Sequence, residues 1–207
     1  DFIVREISYI SNKIENNGQY SYYTLKKTNL TTIDALKILS KKLDIPIISS
    51  DIVRKALSGI SPIEHRYEEF EKGIYSKERT DKTYKEIFKK AEEFLMKGSS
   101  VIIDGSFKKK NQRKLILDLA VEMGIRFFII ETICKDEEIK KRLNYRLKSK
   151  KSASDGRLEI YDKQKKDFEV IDDPELVSGD RDSHIIVDTT EPVNVCIEKI
   201  LERLIHD

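Results

Sequence analysis

The stretch that decides the fold is DIPIISSDIVRKAL at residues 44–57, where a short apolar run passes directly into a helical pattern. Its first part, DIPIIS (44–49), is shorter than most helices and does not alternate between apolar and polar residues. Runs of this kind are typical of strands that are buried on both faces. Three similar runs follow in the chain: SSVIID (99–104), RFFIIET (126–132) and HIIVD (184–188). The sequence therefore predicts a sheet with a buried interior.

Helical patterns alternate with these runs. They are predicted over residues 32–43, 82–97, 112–123, 136–150 and 193–205. Strands that alternate with helices of this length are typical of parallel crossover connections. The aromatic run QYSYYTL (19–25) predicts one more strand, and the spacing of Ile3, Ile7, Ile10 and Ile14 predicts a helix over 2–15. The predicted fold is α/β, a three-layer doubly wound and mainly parallel five-stranded sheet.

Composition narrows the classes of function. The 207 residues include 39 Lys and Arg and 37 Asp and Glu, for a net charge of +2. Such a balance predicts no strong overall field for nucleic acid. Cys134 and Cys196 match no metal-binding spacing, and no apolar run approaches the roughly 20 residues of a membrane span. We therefore expect a cytoplasmic protein with no membrane partner.

Acidic residues follow three of the predicted strands. In parallel sheets, ligands bind beyond the carboxyl ends of the strands. The candidates at those ends are Ser49, Ser50, Asp51 and Arg54, then Asp104, Gly105 and Ser106, and finally Asp188, Thr189 and Thr190. Each acid alone is equally well explained as a helix N-cap, because Ser and Asp start helices well. Three acids at three strand ends favour a functional site.

Several blocks of the sequence resemble a known family. IISSDIVRKALSGI (47–60) and the run from GIYSKERT to NQRK (73–114) are similar to small ATP-binding kinases of the AAA-type P-loop class, relatives of polynucleotide kinase, zeta toxin and gluconate kinase. SDGRLEIYDKQKKDFE (154–169) and HIIVDTTEP (184–192) resemble a subgroup often fused behind an aminoglycoside-phosphotransferase-like domain. The resemblance covers about residues 32–205.

This resemblance implies a domain organisation. We expect residues 1–18 to be an N-terminal helix or a linker from an upstream domain. Residues 19–207 would form the P-loop kinase-like domain, with a helical lid around 136–170. The implied cofactors are ATP and Mg²⁺ if the domain is active, and none if it is not. The implied partners are a nucleotide and an unknown hydroxyl acceptor, and the subgroup adds a fused aminoglycoside-phosphotransferase-like domain as a candidate partner.

The resemblance also implies roles for acceptor-side residues. Asp51 would be the base that deprotonates the acceptor hydroxyl, and Arg54 would hold an anionic part of the acceptor. Asp104 ends a hydrophobic strand in the Walker B pattern and would order Mg²⁺. Arg113 would lie near the phosphates.

On the nucleotide side, Arg142 and Arg146 lie four residues apart on one helix face. The resemblance implies that they belong to the lid and stabilise the transferring phosphoryl group, whereas a solvated basic face is the alternative. Asp188 and Thr189 would border the nucleotide base. Asp155 and Arg157 match a family block and receive no chemical role.

The phosphate-binding loop expected of such kinases is absent from the sequence. The motif G-x-x-x-x-G-K-[ST] should follow the first strand of the sheet, where this chain has TLKKTNLTTIDAL (24–36). Thr31 and Thr32 would have to imitate its hydroxyl, and Lys26 or Lys27 its charge. No glycine lies between Gly18 and Gly59, so each left-handed position of such a loop would cost roughly 1 kcal/mol.

Two hypotheses from different classes follow. The first is a phosphotransferase that acts on a small-molecule or nucleic-acid hydroxyl, with Asp51 as the base. The second is a catalytically inactive pseudokinase or regulatory binding module. A third and weaker interpretation is nucleic-acid binding through KKKNQRK (108–114) and KKRLNYRLKSKK (140–151). These segments match no known binding motif in which aromatic residues are interleaved with basic ones.

Overall fold

The structure of the protein is a computed structural model, which describes residues 4–6, 23–25, 32–66, 68–69, 71–149, 158–171 and 183–205. The strands are β1 (Val4–Glu6), β2 (Tyr23–Leu25), β3 (Ile47–Ser49), β4 (Ile102–Asp104), β5 (Ile129–Ile133) and β6 (His184–Asp188). The helices are α1 (Thr32–Leu43), α2 (Ser50–Leu57), α3 (Lys77–Leu95), α4 (Lys110–Glu122), α5 (Asp136–Ser149), α6 (Leu158–Asp167) and α7 (Val193–Ile205), with a 3-10 turn at Gly73–Tyr75.

The strands form three pairs among the described residues. β3 pairs with β4 in parallel, and β5 pairs with β6 in parallel. β1 pairs with β2 in the antiparallel sense. The parallel pairing of the apolar runs is thereby confirmed, because an observed strand lies within three of the runs and the strand β5 overlaps the fourth. A single five-stranded, three-layer sheet stays a prediction, since the described pairs are not hydrogen-bonded to one another.

One expected element is wrong. Val4–Glu6 were placed in a helix over residues 2–15, but they form a strand whose register pairs Val4 with Leu25. The isoleucine spacing around them carries a helical period, yet pairing with β2 gives the backbone of this short segment its hydrogen bonds. The other residues of that predicted helix lie outside the described part of the chain.

Two hydrophobic clusters form the core. The first contains Leu39 of α1, Ile185 and Val187 of β6, and Cys196, Ile197 and Ile200 of α7. Ile102 of β4 and Ile130 of β5 pack against this cluster, so both parallel pairs share one core. The second contains Ile48, Val53, Tyr84, Ile87 and Ala91, and it joins β3 and α2 to α3.

The second cluster fixes the start of α2 relative to the sheet. Buried residues of α3, among them Tyr84, Ile87 and Ala91, recur at the three- and four-residue spacing of one helix face. Ile87 is fully buried, and Val53 of α2 belongs to the same cluster. The first turn of α2 is therefore held directly after β3, where parallel strands present their carboxyl ends.

A buried lysine secures the far end of α2. Lys55 is 0% exposed, and its ammonium donates to the carbonyl oxygens of Glu64 at 2.7 Å and Pro62 at 3.3 Å. These bonds offset the cost of removing a charge from water. They join the loop after α2 to the helix. None of the helices in the described ranges is both long and apolar enough to cross a membrane.

Candidate active site

Ser49 and Asp104 meet at the carboxyl end of the β3–β4 pair. The two residues are partners in the strand register, and the Ser49 hydroxyl donates to Asp104 Oδ2 at 3.2 Å. Ser49 also occupies the N-cap position of α2, yet its side chain makes no capping hydrogen bond. The hydroxyl therefore serves the neighbouring carboxylate, and the simple capping explanation does not account for it.

Asp51 and Arg54 lie one helical turn apart at the start of α2. Arg54 Nη1 donates to Asp51 Oδ1 at 3.1 Å. The arginine is only 8% exposed, and its guanidinium carbon lies 4.9 Å from the centre of the Tyr75 ring. Its Nε atom is buried and has no hydrogen-bond partner within the described part of the chain. The ion pair and the ring together fix the orientation of the Asp51 carboxylate.

The electrostatics of this edge centre on Asp104. Burial raises the pKa of its carboxyl, the negative charge of Asp51 raises that pKa further, and the Ser49 hydrogen bond lowers it in part. The negative charges of two carboxylates thus interact at the end of a parallel strand pair. A divalent cation would offset their repulsion, and carboxylate and hydroxyl oxygens are the hard ligands that Mg²⁺ prefers.

This donor set fits Mg²⁺ held partly by a substrate. No group of three or more His, Cys, Asp and Glu side chains that could hold a metal ion occurs within the described ranges. Mg²⁺ usually keeps several waters and is held by one or two carboxylates together with substrate phosphates. Asp104 and Ser49, with Asp51 beside them, provide that smaller set.

The end of the β5–β6 pair has a different character. Asp188 Oδ1 accepts a hydrogen bond from the backbone N–H of Thr190 at 2.8 Å. The Thr190 hydroxyl and that same N–H lower the pKa of Asp188, and the charges of Lys135 and Arg142 add to the effect. The carboxylate therefore stabilises a tight turn after β6.

Arg142 of α5 binds this turn. Its Nη2 donates to the Thr189 carbonyl oxygen at 2.7 Å and its Nη1 to Thr189 Oγ1 at 3.2 Å, while Nε donates to Glu138 at 3.0 Å. Thr189 is also bonded to Ile133 at the end of β5, through its N–H at 2.8 Å and its hydroxyl at 3.0 Å. Two residues expected on the nucleotide side, Arg142 and Thr189, are thereby brought together.

The chain is similar to known proteins in its sequence family and in its fold. Residues 35–171 match the family described as AAA domain. The chain belongs to this family. A gluconokinase from Sinorhizobium meliloti 1021 shares 14% identity with this AAA domain, over 84% of this chain and 85% of its own, with a TM-score of 0.55. A candidate kinase from Chloroflexus aurantiacus j-10-fl shares 14% identity over 83% and 90%, with a TM-score of 0.58.

At that level of identity the likeness to solved structures shows the fold alone. The AAA domain has the P-loop kinase-like α/β fold, as the sequence predicted. A search of curated proteins gave no significant match. The roles of individual residues therefore depend on the geometry of this chain.

Arg113 of the AAA domain is buried and bound to backbone carbonyl groups. Its place near the phosphates stays a prediction, and the side chain is 2% exposed. Its Nη1 donates to the Phe107 carbonyl oxygen at 2.8 Å and its Nη2 to that of Val170 at 3.1 Å. Its guanidinium carbon lies 5.7 Å from the centre of the Phe168 ring. The arginine thus joins the segment after β4 to the segment after α6.

Several expected site residues fall outside what the structure describes. Thr31 lies outside the described residues, as do Asp155 and Arg157. Thr32 is the first residue of α1 and Arg146 belongs to α5, but their side chains are not among those described. Residues 26–31, where the phosphate loop is expected, are likewise not described. The roles of all these residues stay predictions.

Two tyrosines near the site were missed in the sequence. Tyr75 contacts Arg54, and the Tyr84 hydroxyl accepts a hydrogen bond from the Phe107 N–H at 3.2 Å. Tyr84 carries a detectable signal, because it occupies the apolar stripe of α3 and a buried tyrosine hydroxyl needs a partner. Tyr75 follows the polar loop after α2 and carries no such signal.

Proposed function

We propose that this AAA domain is a phosphotransferase domain that moves a phosphoryl group from Mg-ATP to a hydroxyl group of a small molecule or a nucleic acid. The observation that carries the proposal is the cluster of Ser49, Asp51, Arg54 and Asp104 at one end of the β3–β4 pair. Membership of the family and the kinase-like fold support it.

In this proposal Asp51 is the general base. A base must lie within hydrogen-bond reach of the acceptor hydroxyl and keep a fixed orientation. The Arg54 contact at 3.1 Å supplies that orientation, and the burial of Arg54 against Tyr75 limits its own movement. Asp51 accepts the proton of the hydroxyl as the acceptor oxygen approaches the phosphorus atom. Arg54 would also attract an anionic part of the acceptor.

Asp104 would hold Mg²⁺ together with the Ser49 hydroxyl. When bound, the ion neutralises charge on the phosphate oxygens. The chain's own contribution is a carboxylate that is kept in place by the hydrogen bond from Ser49. Burial and the neighbouring Asp51 charge disfavour a lone ionised Asp104, so a cation at this position relieves an unfavourable interaction.

The β5–β6 end would hold the nucleoside. Asp188 and Thr189 form the turn that would border the base, and Arg142 fixes that turn to α5. α5 is joined to α6 through Asp136, which accepts from Tyr161 at 2.9 Å and from Lys165 at 2.8 Å. These two helices would form the lid, with Arg142 and Arg146 near the transferred group.

The proposal is tested by nucleotide binding followed by turnover. Mg-ATP binding is measured by calorimetry, and ADP release is then followed with a panel of sugars, nucleosides and oligonucleotides. We expect binding that requires Mg²⁺ and ADP release that depends on one class of acceptor. An absence of binding at millimolar nucleotide would sink the proposal.

A second candidate is a binding module without catalysis. The absence of glycine from residue 19 to residue 58 favours it, because glycine-poor backbone wraps phosphates at a steric cost. Such a module would still depend on its fold but not on Asp51. Its signature is nucleotide or partner binding that survives Asp51→Asn, with no ADP release from any acceptor.

A further inference from the structure

Phe107 adopts a backbone conformation that is unusual for its side chain. It follows β4 by three residues and has a φ of +37°, in the left-handed region that bulky residues rarely occupy. Such conformations persist only where the surrounding structure imposes them, and they cluster at functional sites. What holds Phe107 is therefore informative.

Side chains from two helices hold this residue. Tyr84 of α3 accepts the Phe107 N–H at 3.2 Å, and Arg113 of α4 donates to the Phe107 carbonyl oxygen at 2.8 Å. The Tyr84 and Phe107 rings also pack, with centres 5.1 Å apart. Both backbone polar groups of Phe107 are thus satisfied by side chains. Two hydrogen bonds and a ring contact therefore hold the turn at Phe107, the residue whose backbone conformation is unfavourable.

The turn formed by Gly105–Phe107 touches the candidate active site directly. A Cβ atom added at Gly105 would lie 3.3 Å from Ser50 Oγ and 3.2 Å from Cε2 of the Phe107 ring. Ser50 lies between Ser49 and Asp51 in the chain, and Gly105 follows Asp104. The backbone at Gly105 thus lies close to Ser50 and leaves little room for a side chain, so a shift of the turn would alter the surroundings of both strand ends.

We propose that Tyr84 and Arg113 are positioning residues, which hold the Gly105–Phe107 turn so that Asp104 stays beside Ser49 and Asp51. The inference rests on the proposed function, because it gives the held geometry a purpose in metal binding. It assigns Arg113 a role through carbonyl groups, in place of the phosphate contact expected from the sequence.

The segment after α6 gives Arg113 further support. Its second hydrogen bond reaches the Val170 carbonyl oxygen. Lys109 bonds Asp167 at 2.6 Å, and Glu169 accepts the Lys110 N–H at 2.6 Å. These contacts hold the segment that accepts the second Arg113 bond, so the guanidinium stays in place against Phe107.

The test measures metal binding without nucleotide. Mn²⁺ is titrated into the labelled full chain, and broadening of the Gly105 amide signal reports occupancy beside Asp104. Tyr84→Phe keeps the ring but removes the acceptor of the Phe107 N–H, and Arg113→Lys places one ammonium short of the two guanidinium nitrogens that reach the Phe107 and Val170 carbonyl oxygens. We expect each variant to require about tenfold more Mn²⁺ than the natural chain, equivalent to the loss of one good polar contact.

Matched controls separate positioning from general damage. Tyr161→Phe removes a hydroxyl from a surface bond to Asp136, and Arg126→Lys alters an arginine that stacks on Phe128. Both should bind Mn²⁺ like the natural chain. Phe107→Gly introduced into Tyr84→Phe removes the strain, because glycine accepts positive φ, so it should restore Mn²⁺ affinity at least in part. If Tyr84→Phe acted only through lost packing, adding Phe107→Gly would weaken Mn²⁺ binding further.

The outcomes are distinct from those of the proposed function. Mn²⁺ affinities in Tyr84→Phe and Arg113→Lys that equal the natural chain would overturn the inference, as would a natural chain whose Gly105 signal Mn²⁺ does not broaden. Weakened Mn²⁺ binding in a chain that releases no ADP would uphold the positioning role while the phosphotransferase proposal fails. Normal ADP release with unchanged Mn²⁺ binding in the variants would uphold the phosphotransferase proposal and overturn the positioning role.

Discussion

The ends of the two parallel strand pairs show how one residue type takes two roles. β4 ends in Asp104 and β6 ends in Asp188, so both carboxylates occupy equivalent positions in a parallel pair. The pKa of Asp104 is raised, whereas that of Asp188 is lowered. The fold places the acids alike, and their neighbours make them different.

The difference has an identifiable cause. Asp188 accepts hydrogen bonds from the hydroxyl and from the N–H of Thr190, two residues on, and both favour its charged form. Asp104 is buried and is repelled by the charge of Asp51, and both effects disfavour its charged form. An acid at a strand end therefore becomes a turn cap where a backbone N–H reaches it. It becomes a candidate for metal binding where a second acid faces it.

The largest expected effect comes from removing the proposed base. Asp51→Asn should lower the turnover number on the order of 100-fold or more, because general-base catalysis contributes about that much. ADP release under saturating Mg-ATP measures it. Asp118→Asn, which alters an exposed i,i+4 pair with Lys114 on α4, is the control and should leave turnover unchanged. Equal turnover in both variants would show that Asp51 is not the base.

The next largest effect concerns the ion pair. Arg54→Met keeps much of the buried apolar contact but leaves Asp51 without its partner in α2, so the free energy of unfolding should fall by about 1–3 kcal/mol. Chemical denaturation measures the change. Arg79→Met, at an exposed position of α3, should alter stability far less. A loss no larger than in that control would mean that the pair contributes nothing measurable.

A smaller effect is expected at the β5–β6 end. Arg142→Met removes the bonds to Thr189, and we expect a loss of about 1 kcal/mol because the guanidinium is only partly buried. Amide hydrogen exchange at residues 189–190 should accelerate while exchange in α3 stays unchanged. Uniform acceleration across the chain would instead indicate global destabilisation, and unchanged exchange at the turn would show that Arg142 does not hold it.

The smallest expected effects are changes in melting temperature. They distinguish the two strand ends most clearly, because they are expected to have opposite signs at Asp104 and Asp188. Asp104 has a raised pKa in the folded state, so its ionisation costs stability once the pH exceeds its unfolded value near about 3.9. Asp104→Asn should therefore raise the melting temperature at pH 7, and this gain should vanish as the pH falls below that value. Melting curves between pH 3 and pH 7 measure it.

Asp188→Asn is the matched variant at the other end. The pKa of Asp188 is lowered in the folded state, so its charge stabilises the fold above the unfolded value and this contribution is lost as the pH falls through the folded value. The variant should lower the melting temperature slightly at pH 7 and not at acidic pH. Shifts of the same sign in both variants would contradict the contrast between the two ends.

The parallel pairs could be predicted because their signal is local. Runs such as VIID and IIVD are apolar on both faces, and alternation with helices implies parallel crossovers. The same rule gathers strand ends at one edge, which is how Ser49, Asp51 and Asp104 were found. The strand at Val4–Glu6 was missed because its pairing partner lies about 20 residues away and leaves no mark in the local pattern.

The arrangement around Phe107 could not be predicted for a related reason. A positive φ at phenylalanine contradicts local preference, so no sequence rule indicates it. The sequence around Arg113 is equally compatible with an arginine that binds phosphate and with one that binds a carbonyl oxygen. Which of these it does depends on where α4 and the segment after α6 come together, and that is decided by tertiary contacts with Phe168 and Val170.

The chemical reactivity of Lys55 can report when the loop after α2 opens. Acylating reagents attack an amine only where solvent carries them, and the ammonium of Lys55 is fully enclosed beneath the Pro62 and Glu64 carbonyl groups. Surface lysines would be modified at once, whereas Lys55 would react only during moments when the loop after α2 departs. The rate at which Lys55 is labelled therefore measures how often the loop after α2 opens. That loop is bound to the helix that carries Asp51 and Arg54, and the measurement needs no added probe.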